Sequence, residues 1–282
     1  MLVILTLTYL KLNKNISKKM PQKLNLSKDE LKSIIKTKDV LIALITKNVS
    51  KHIPKVLNNV MTYASYFKSS KVIIIDGHST DGTYEICKSW CKVEPENRKV
   101  YRQPSSFLPR PLALSEARNM YVSLFQEDFK KDTYLLMFDC DEVNTSPFDE
   151  EGFLSNFDYE TSEWDAMFVN QTKEYYDIYA LRNDECPENY QEALRRTGDE
   201  WNSLKKHQIP KPRSHPLINV KSAFGGIGLY HTEKLKGCWY SSFIGNPFDG
   251  RGSKETCEHV PFHEAFLSKS GKLFINPNFV NM

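Results

Sequence analysis

The stretch KVIIIDGHSTDGT, residues 71–83, and its partner YLLMFDCD, residues 134–141, decide the fold of this chain. Each is a short apolar run that ends abruptly in acidic residues. An uninterrupted apolar run of this length predicts a strand buried on both faces, as in a parallel α/β sheet. Ligands of open α/β sheets bind outside the carboxyl ends of the strands. The acidic residues at the two strand ends are therefore expected to face one crevice.

Strand and helix patterns alternate around these two stretches. The order β-α-β-α-β over residues 40–102 is typical of one half of a parallel α/β sheet. Further strands are predicted at 134–138 and 165–170. Upstream, Ser27 and Glu30 have the spacing of a capping box, which predicts the start of a short helix.

Composition excludes several classes of protein. The chain has 282 residues, of which 40% are hydrophobic and 26% charged, as in a soluble globular protein. A net charge of +3 is too small to indicate nucleic-acid binding. The six cysteines include no CxxC pair, which favours free thiols in a reducing compartment over structural zinc.

The apolar run at residues 1–10 is too short for a transmembrane helix, which needs about 20 residues. No basic residue precedes it and no cleavage site follows it, so a signal peptide is not expected. The sequence therefore predicts a cytoplasmic protein without a stable membrane span. A clipped signal-anchor is the alternative.

Asp139-Cys140-Asp141 is a candidate metal site, because two carboxylates that flank one residue at a strand end can hold a divalent ion. Hard oxygen ligands suit Mg²⁺ or Mn²⁺. A solvated turn is the alternative for such a motif. In the segment 76–83, Asp76 can accept hydrogen bonds from a base or ribose, but turn and helix-cap chemistry explains the same residues equally well.

A resemblance to a known family links these motifs. Asp-Gly-x-Ser-x-Asp-Gly-Thr, then Ala-Arg-Asn at 117–119, then Asp-x-Asp resemble the nucleotide-sugar half of family-2-like glycosyltransferases with the GT-A fold. Phe224-Gly225-Gly226 and the segment 257–263 are similar to capsule-type mannosyltransferase-like proteins and their viral relatives. The resemblance implies an α/β fold with a mostly parallel, Rossmann-like sheet flanked by helices, and a smaller mixed half. It predicts an extension over 1–38, a nucleotide-sugar half over 39–170 and an acceptor half over 171–282.

The resemblance also implies roles for residues of the donor half. Thr46 and Asp76 are expected to contact the nucleoside, and Asp81 to lie at the base side of the pocket. Arg118 would sit near the nucleotide or orient the acidic loop. Mn²⁺ or Mg²⁺ would be held by Asp139 and Asp141, with Asp139 close to the donor. The donor sugar would be approached by the backbone of two glycines without Cβ, Gly225 and Gly226.

The later segments supply the implied catalytic and acceptor residues. Glu258 matches the acid that deprotonates the acceptor hydroxyl in inverting members, and His263, or alternatively His259, would complete the metal shell. Pro261 between the two histidines argues against a zinc protease. The family usually has Asp where this chain has His259, which leaves the base and the stereochemistry open. The candidate acceptor residues, for which core packing is the alternative, are Tyr176, Asp177, Arg182 and Phe224.

Together these features predict a metal-dependent glycosyltransferase that moves a sugar from a UDP- or GDP-sugar to a glycan or glycoconjugate. A haloacid-dehalogenase-like phosphohydrolase is the alternative enzyme, because its motif is also Asp-x-Asp after an apolar strand. A catalytically inactive binding or scaffold protein is the other alternative. The Lys, Asn and Ile bias fits a viral or parasite source, in which case the host cytoplasm is expected.

Overall fold

The computed structural model describes residues 20–244 and 254–281, and the fold is reported for those residues. The predicted N-terminal apolar run, residues 1–10, lies outside them. Within the described ranges, no helix combines the length and the apolar character needed to cross a membrane.

The elements follow the predicted alternation. The α-helices of the described chain are α1 (Lys28–Ile35), α2 (Ile53–Ser65), α3 (Thr83–Cys91), α4 (Arg110–Phe125), α5 (Glu150–Leu154), α6 (Tyr190–Thr197), α7 (Glu200–Ser203) and α8 (His259–Ser268). The strands are β1 (Asp39–Thr46), β2 (Ser69–Asp76), β3 (Arg98–Arg102), β4 (Thr133–Asp139), β5 (Ala166–Asn170), β6 (Ile218–Val220), β7 (Ile227–His231), β8 (Phe243–Ile244), β9 (Lys254–Glu255) and β10 (Leu273–Val280). Short 3₁₀ turns lie at Gln126–Asp128, Glu142–Asn144, Ser155–Phe157 and Lys205–His207.

One large sheet organises the molecule, with strand order β3-β2-β1-β4-β7-β5-β10-β6. Strands β3, β2, β1 and β4 are mutually parallel, which confirms the β-α-β-α-β prediction for residues 40–102. Strand β7 runs antiparallel to β4 and β5, β10 is parallel to β5, and β6 is antiparallel to β10. The pair β8–β9 forms a small separate antiparallel sheet.

Both faces of the sheet are covered by helices, which explains why β1 reads as a continuous apolar run. Val40, Ile42 and Leu44 pack into a core with α1, α2 and α3. Leu41 and Ala43 point to the opposite face, into a core with α4 and α8. Burying a side chain of this size contributes about 1.5–3 kcal/mol. The alternation therefore fixes the register of the central strands.

The predicted helix start at Ser27 is confirmed by side-chain contacts. The N–H of Glu30 donates to Ser27 Oγ at 3.4 Å and the N–H of Ser27 donates to Glu30 Oε2 at 2.8 Å, which is the capping box that starts α1. All six cysteines are buried and free.

Successive strands are added on one side of β1 up to β3 and then on its other side at β4, and this places the acidic strand ends together. From β1 the chain builds β2 and β3 on one side, and β4 then pairs with the other side of β1. Thr46 pairs with Asp76 across β1 and β2, and Ile45 pairs with Asp139 across β1 and β4. Such a switch point is where open α/β sheets bind ligands.

The imidazole of His231, at the end of β7, yields a prediction about stability. It packs against Trp164 and Tyr134 at ring-centroid distances of 4.3 and 4.6 Å, and its Nε2 has no hydrogen-bond partner among the described residues. Burial lowers the pKa of His231 to about 4. The pKa of a histidine in the unfolded chain is near 6.5. Between about pH 6.5 and pH 4 the unfolded state therefore binds more protons than the folded state, so the free energy of unfolding falls as the pH is lowered.

The substitution His231→Phe should remove the part of the pH dependence of stability that comes from this histidine. Urea unfolding at pH 7 and pH 5 is expected to show a loss of unfolding free energy on acidification that is smaller in the variant by roughly 1–2 kcal/mol. An identical loss in the two proteins would contradict the assignment.

Candidate functional site

A cleft of about 890 Å³ opens at the carboxyl ends of β1 and β4. On the side of β2 and β3 its wall contains Thr46, Gly77 and Gln103. The remaining wall brings together most of the residues predicted from sequence, together with His259: Arg118, Asp139, Cys140, Asp141, Tyr176, Asp177, Phe224, Glu258 and His259. The acidic turn after β4 therefore faces the crevice, as the strand pattern predicts.

Arg118 links three separate segments at the floor of the cleft. It lies on α4 and is 3% exposed. Its Nε donates to Glu258 Oε1 at 2.9 Å, and its Nη2 donates to Asp139 Oδ1 at 3.2 Å. The guanidinium also lies 4.9 Å from the centre of the Phe224 ring. Because one planar cation contacts all three groups, the acidic turn, the glycine loop and the start of α8 are held in one arrangement.

The cleft carries an excess of carboxylates. Burial raises the pKa of Asp139 to about 7, the neighbouring Arg118 acts in the opposite direction, and Asp141, Asp177 and Glu258 raise it further. Burial also raises the pKa of Asp177, against hydrogen bonds from the N–H groups of Gly225 and Ala180. Of these four acidic side chains, Asp139 and Glu258 contact the buried Arg118, and Asp141 and Asp177 accept from backbone N–H groups. A divalent cation would relieve their mutual repulsion.

A network of buried carboxamides braces the acidic turn against the glycine loop. Asn144 Nδ2 donates to the carbonyls of Asp139 at 2.8 Å and Gly226 at 2.9 Å. Asn281 Nδ2 donates to Asn144 Oδ1 at 2.8 Å and to the carbonyl of Gly225 at 2.9 Å. Gly226 has φ +98°, and a Cβ there would lie 2.8 Å from Val143 Cγ2. Glycine is therefore required where this loop packs on the acidic turn.

The two carboxylates of the segment 76–83 form hydrogen bonds within the segment and to the end of β1 and the loop that follows it. Asp76 is buried, and it accepts from Thr46 Oγ1 at 3.2 Å and from the N–H of Ser79 at 3.0 Å. Asp81 accepts from Thr83 and from the N–H of Ser50 at 2.9 Å, and the hydrogen bond from the Thr83 hydroxyl lowers the pKa of Asp81. Neither carboxylate is among the residues that line the cleft. Asp81 ties two loops together, which differs from the expected contact with the base.

His263 is not among the residues that line the cleft with the acidic turn. This side chain is fully buried, with Nδ1 2.9 Å from Ser222 Oγ and Nε2 2.9 Å from Tyr230 OH. Both ring nitrogens are occupied, so we do not retain His263 as a metal ligand. In the described part of the chain, no group of three or more His, Cys, Asp or Glu residues is placed to hold a metal ion.

Three of the four predicted acceptor residues line the cleft. Tyr176, which is 38% exposed, lies there with Asp177 and Phe224. Arg182 lies behind them, because its Nη1 donates to the carbonyls of Tyr179 at 3.2 Å and Leu181 at 2.6 Å. Its observed contacts are those of a residue that shapes the loop.

Sequence reasoning missed several polar residues of the cleft wall, among them Lys47, Gln103 and Arg110. The first two directly follow β1 and β3, and Arg110 begins α4. Applying the strand-end rule to β1 and β3 as well as to β2 and β4 would have found the first two. Within the described ranges, neither Lys47 nor Arg110 has a carboxylate partner. They are therefore available to an anionic ligand.

Comparisons with known proteins agree with this geometry. The sequence model of "Glycosyl transferase family 2" matches residues 41–208. No match was found among curated protein sequences.

Similar solved structures were found at low sequence identity. The mannosyltransferase PcManGT from Pyrobaculum calidifontis, in complex with GDP-Man and Mn²⁺, is 13% identical with a TM-score of 0.47, over 90% of this chain and 62% of that one. TarS 1–349 from S. aureus with UDP-GlcNAc is 13% identical with a TM-score of 0.44, over 84% and 55%. Glucosyl-3-phosphoglycerate synthase from Mycobacterium tuberculosis, with Mn²⁺, UDP and glucosyl-3-phosphoglycerate, is 13% identical with a TM-score of 0.43, over 76% and 64%.

This chain thus spans about 55–64% of the length of those three proteins. The assignment to a family rests on the sequence model, which covers more than half of the chain. It is consistent with the mostly parallel sheet flanked by helices and with the predicted α/β fold of GT-A type. The chain belongs to glycosyl transferase family 2, as its motifs predict.

Proposed function

We propose that this protein is a metal-dependent glycosyltransferase that moves a sugar from a UDP- or GDP-sugar donor to a glycan or glycoconjugate acceptor. The observation that carries the proposal is the acidic turn Asp139-Cys140-Asp141 at the switch-point cleft of a family-2 chain. The cations Lys47 and Arg110 line the same cleft. A nucleoside diphosphate needs both features, because its phosphates carry the charge that a cation must balance.

The residues present fit a divalent metal. Asp139 and Asp141 offer hard oxygen donors in a cleft with an excess of carboxylates, which suits Mn²⁺ or Mg²⁺. When bound, the metal would neutralise charge on the diphosphate leaving group. Arg118 holds Asp139 by one oxygen, and the side chain of Asp141 accepts from the N–H of Val143 at 3.3 Å. Each carboxylate therefore has an oxygen available for the ion.

The remaining contacts with the donor and the acceptor would be made by residues at different positions along the cleft. Thr46, Gly77 and Gln103, at the ends of β1, β2 and β3, form the wall for the nucleoside. Lys47 and Arg110 would contact the phosphates. The acceptor would lie on the opposite side, against Tyr176 and Phe224, whose rings can cover apolar sugar faces. This arrangement would support the predicted division into a donor half over 39–170 and an acceptor half over 171–282.

The alternatives are less well supported. A phosphohydrolase would use Asp139 as a nucleophile, but the family assignment favours glycosyl transfer. An inactive scaffold would not need both acids of the turn together with two cations, Lys47 and Arg110, that have no carboxylate partner among the described residues. The viral relationship and the cytoplasmic location stay predictions.

Asp141→Asn should remove metal-dependent nucleotide binding. The substitution preserves shape and keeps an oxygen that can accept from the N–H of Val143, but it removes the negative charge. Calorimetric titration of UDP and GDP is expected to show Mn²⁺-dependent binding in the wild type, weakened about 10- to 100-fold in the variant by the lost charge.

Asp199→Asn is the matched control for that titration. Asp199 also caps a short helix, accepting from the N–H of Asn202 at 3.0 Å, but it is not among the residues that line the cleft. This variant should bind nucleotide as the wild type does. Unchanged, metal-dependent binding in Asp141→Asn would contradict the metal assignment.

Lys47→Met should weaken binding of the diphosphate while sparing the nucleoside. Loss of one charge-assisted hydrogen bond costs about 1.5–3 kcal/mol, which is roughly a 10- to 100-fold loss of UDP or GDP affinity. Uridine or guanosine, measured in the same assay, should bind equally to both proteins. Lys51→Met, an exposed lysine of the same loop, is the control. An equal loss for nucleoside and nucleotide would show that Lys47 does not contact the phosphates.

A further inference from the structure

The imidazole of His259 is the most unusual polar group in the cleft wall. The residue is 2% exposed, and neither Nδ1 nor Nε2 has a hydrogen-bond partner among the described residues. Buried polar side chains nearly always have such a partner. Leaving one without a partner costs about 1–3 kcal/mol. His259 belongs to the cleft wall and both of its ring nitrogens are shielded from solvent, so a bound molecule would supply the missing partner through a shift of that wall, in which Phe224 stacks on the imidazole.

The neighbouring Glu258, by contrast, has a contact at each of its two carboxylate oxygens. Its Oε1 accepts from Arg118 Nε at 2.9 Å, and its Oε2 lies 3.7 Å from Cys257 Sγ. Both carboxylate oxygens of Glu258 thus face groups of the protein, whereas the ring nitrogens of His259 have no partner among the described residues. Glu258 therefore fits a supporting role better than the role of base predicted from sequence.

We propose that His259, supported by Glu258, is the general base that takes the proton from the acceptor hydroxyl. This inference rests on the proposed function. The acceptor oxygen forms a bond to the anomeric carbon of the donor sugar while the hydroxyl proton passes to a ring nitrogen of His259. The bond from that carbon to the diphosphate oxygen breaks, and its electron pair leaves with the nucleoside diphosphate. The step requires a direct displacement and therefore predicts inversion at the anomeric carbon.

The groups around His259 favour the neutral form of its ring before the reaction and would stabilise the protonated form after it. Its ring stacks on Phe224 at 4.1 Å and lies 5.6 Å from His263 and 5.5 Å from Tyr240. Burial, together with Arg118 and His263, holds the pKa of His259 well below its ordinary value, so the resting imidazole is neutral with a free lone pair.

After proton transfer, the carboxylate of Glu258 is the nearest compensating charge. His259 Nε2 lies 3.7 Å from Glu258 Oε1. Contraction of that distance to a hydrogen bond would stabilise the imidazolium, as a carboxylate does for the histidine of other acid–base pairs. Arg118 fixes the position of Glu258, so the ion pair would orient the base without itself accepting the proton.

The test uses water as the acceptor, so it does not require the natural one. Wild-type protein, His259→Ala and His263→Ala are incubated with UDP- and GDP-sugars and Mn²⁺, and the released nucleoside diphosphate is measured. Loss of a general base is expected to slow release about 10²- to 10⁴-fold in His259→Ala. Calorimetric affinity for UDP or GDP with Mn²⁺ should change by no more than about twofold, since the base does not bind the nucleotide.

Two further readouts separate a base from a structural residue. Added imidazole should restore part of the release in His259→Ala. The maximal rate of release should fall in His259→Ala while the KM for the nucleotide-sugar stays close to that of the wild type, as expected for a group that acts on the acceptor. His263→Ala removes a buried histidine of the same helix that has two partners. It should lower the melting temperature and leave the release per folded molecule within about tenfold of wild type.

The outcomes are distinct. If His259→Ala does not fold, His259→Gln, which preserves most of the volume, replaces it in every measurement. Unchanged release, or loss of metal-dependent nucleotide affinity as for a metal ligand, would overturn the assignment of the base. Retention of the anomeric configuration would also overturn it, as would nucleotide binding by the wild type without release. Failure of the wild type to bind any nucleotide would instead overturn the proposed function itself.

Discussion

The buried guanidinium of Arg118 is the contact on which the site depends. It joins α4 to the acidic turn after β4 through Asp139 and to the start of α8 through Glu258. Removing one partner of such a network leaves an uncompensated charge in a low-dielectric interior, which typically costs 3–5 kcal/mol. Segments separated by 140 residues in sequence are thus held together at one point. Because Asp139 and Glu258 both contact the Arg118 guanidinium, we expect this residue to maintain the shape of the cleft.

The same arrangement leaves the cleft short of positive charge. Asp139, Asp141, Asp177 and Glu258 lie around Arg118, and burial raises the pKa of Asp139 to about 7. In the absence of a ligand, proton uptake is one way to reduce the repulsion. A divalent cation is another, and it is the one that a phosphate-bearing donor also needs. The carboxamide network around Asn144 holds the turn in place while the charges are redistributed.

The sequence predicted the fold well because the central strands are apolar on both faces, as at Val40 to Leu44 and Tyr134 to Phe138. Periodicity and strand ends were enough to place Asp139 and Asp141 at the crevice. The same reasoning could not tell a residue that faces the cleft from one that faces its own loop. Asp81 and Ser79 accept from backbone N–H groups of a neighbouring loop, and the two loops contain Asn48 and His78, which have positive φ.

The two histidines of α8 show the limit most clearly. Their spacing puts them on one face of the helix, yet the hydroxyls of Ser222 and Tyr230 contact the ring nitrogens of His263, whereas those of His259 have no hydrogen-bond partner in the described part of the chain. Those hydroxyls come from strands and loops distant in sequence, so only the tertiary structure could separate the two roles. Lys47 and Gln103 escaped notice because neither belongs to a recognisable motif.

Anomalous diffraction from crystals soaked with Mn²⁺ and UDP or GDP tests the central claim most directly. The account predicts a manganese peak within about 2–2.5 Å of carboxylate oxygens of both Asp139 and Asp141, with the diphosphate on the same ion. Such a peak would establish the nucleotide-sugar site and its metal together. Nucleotide bound in the cleft without manganese, or manganese at another position, would contradict it.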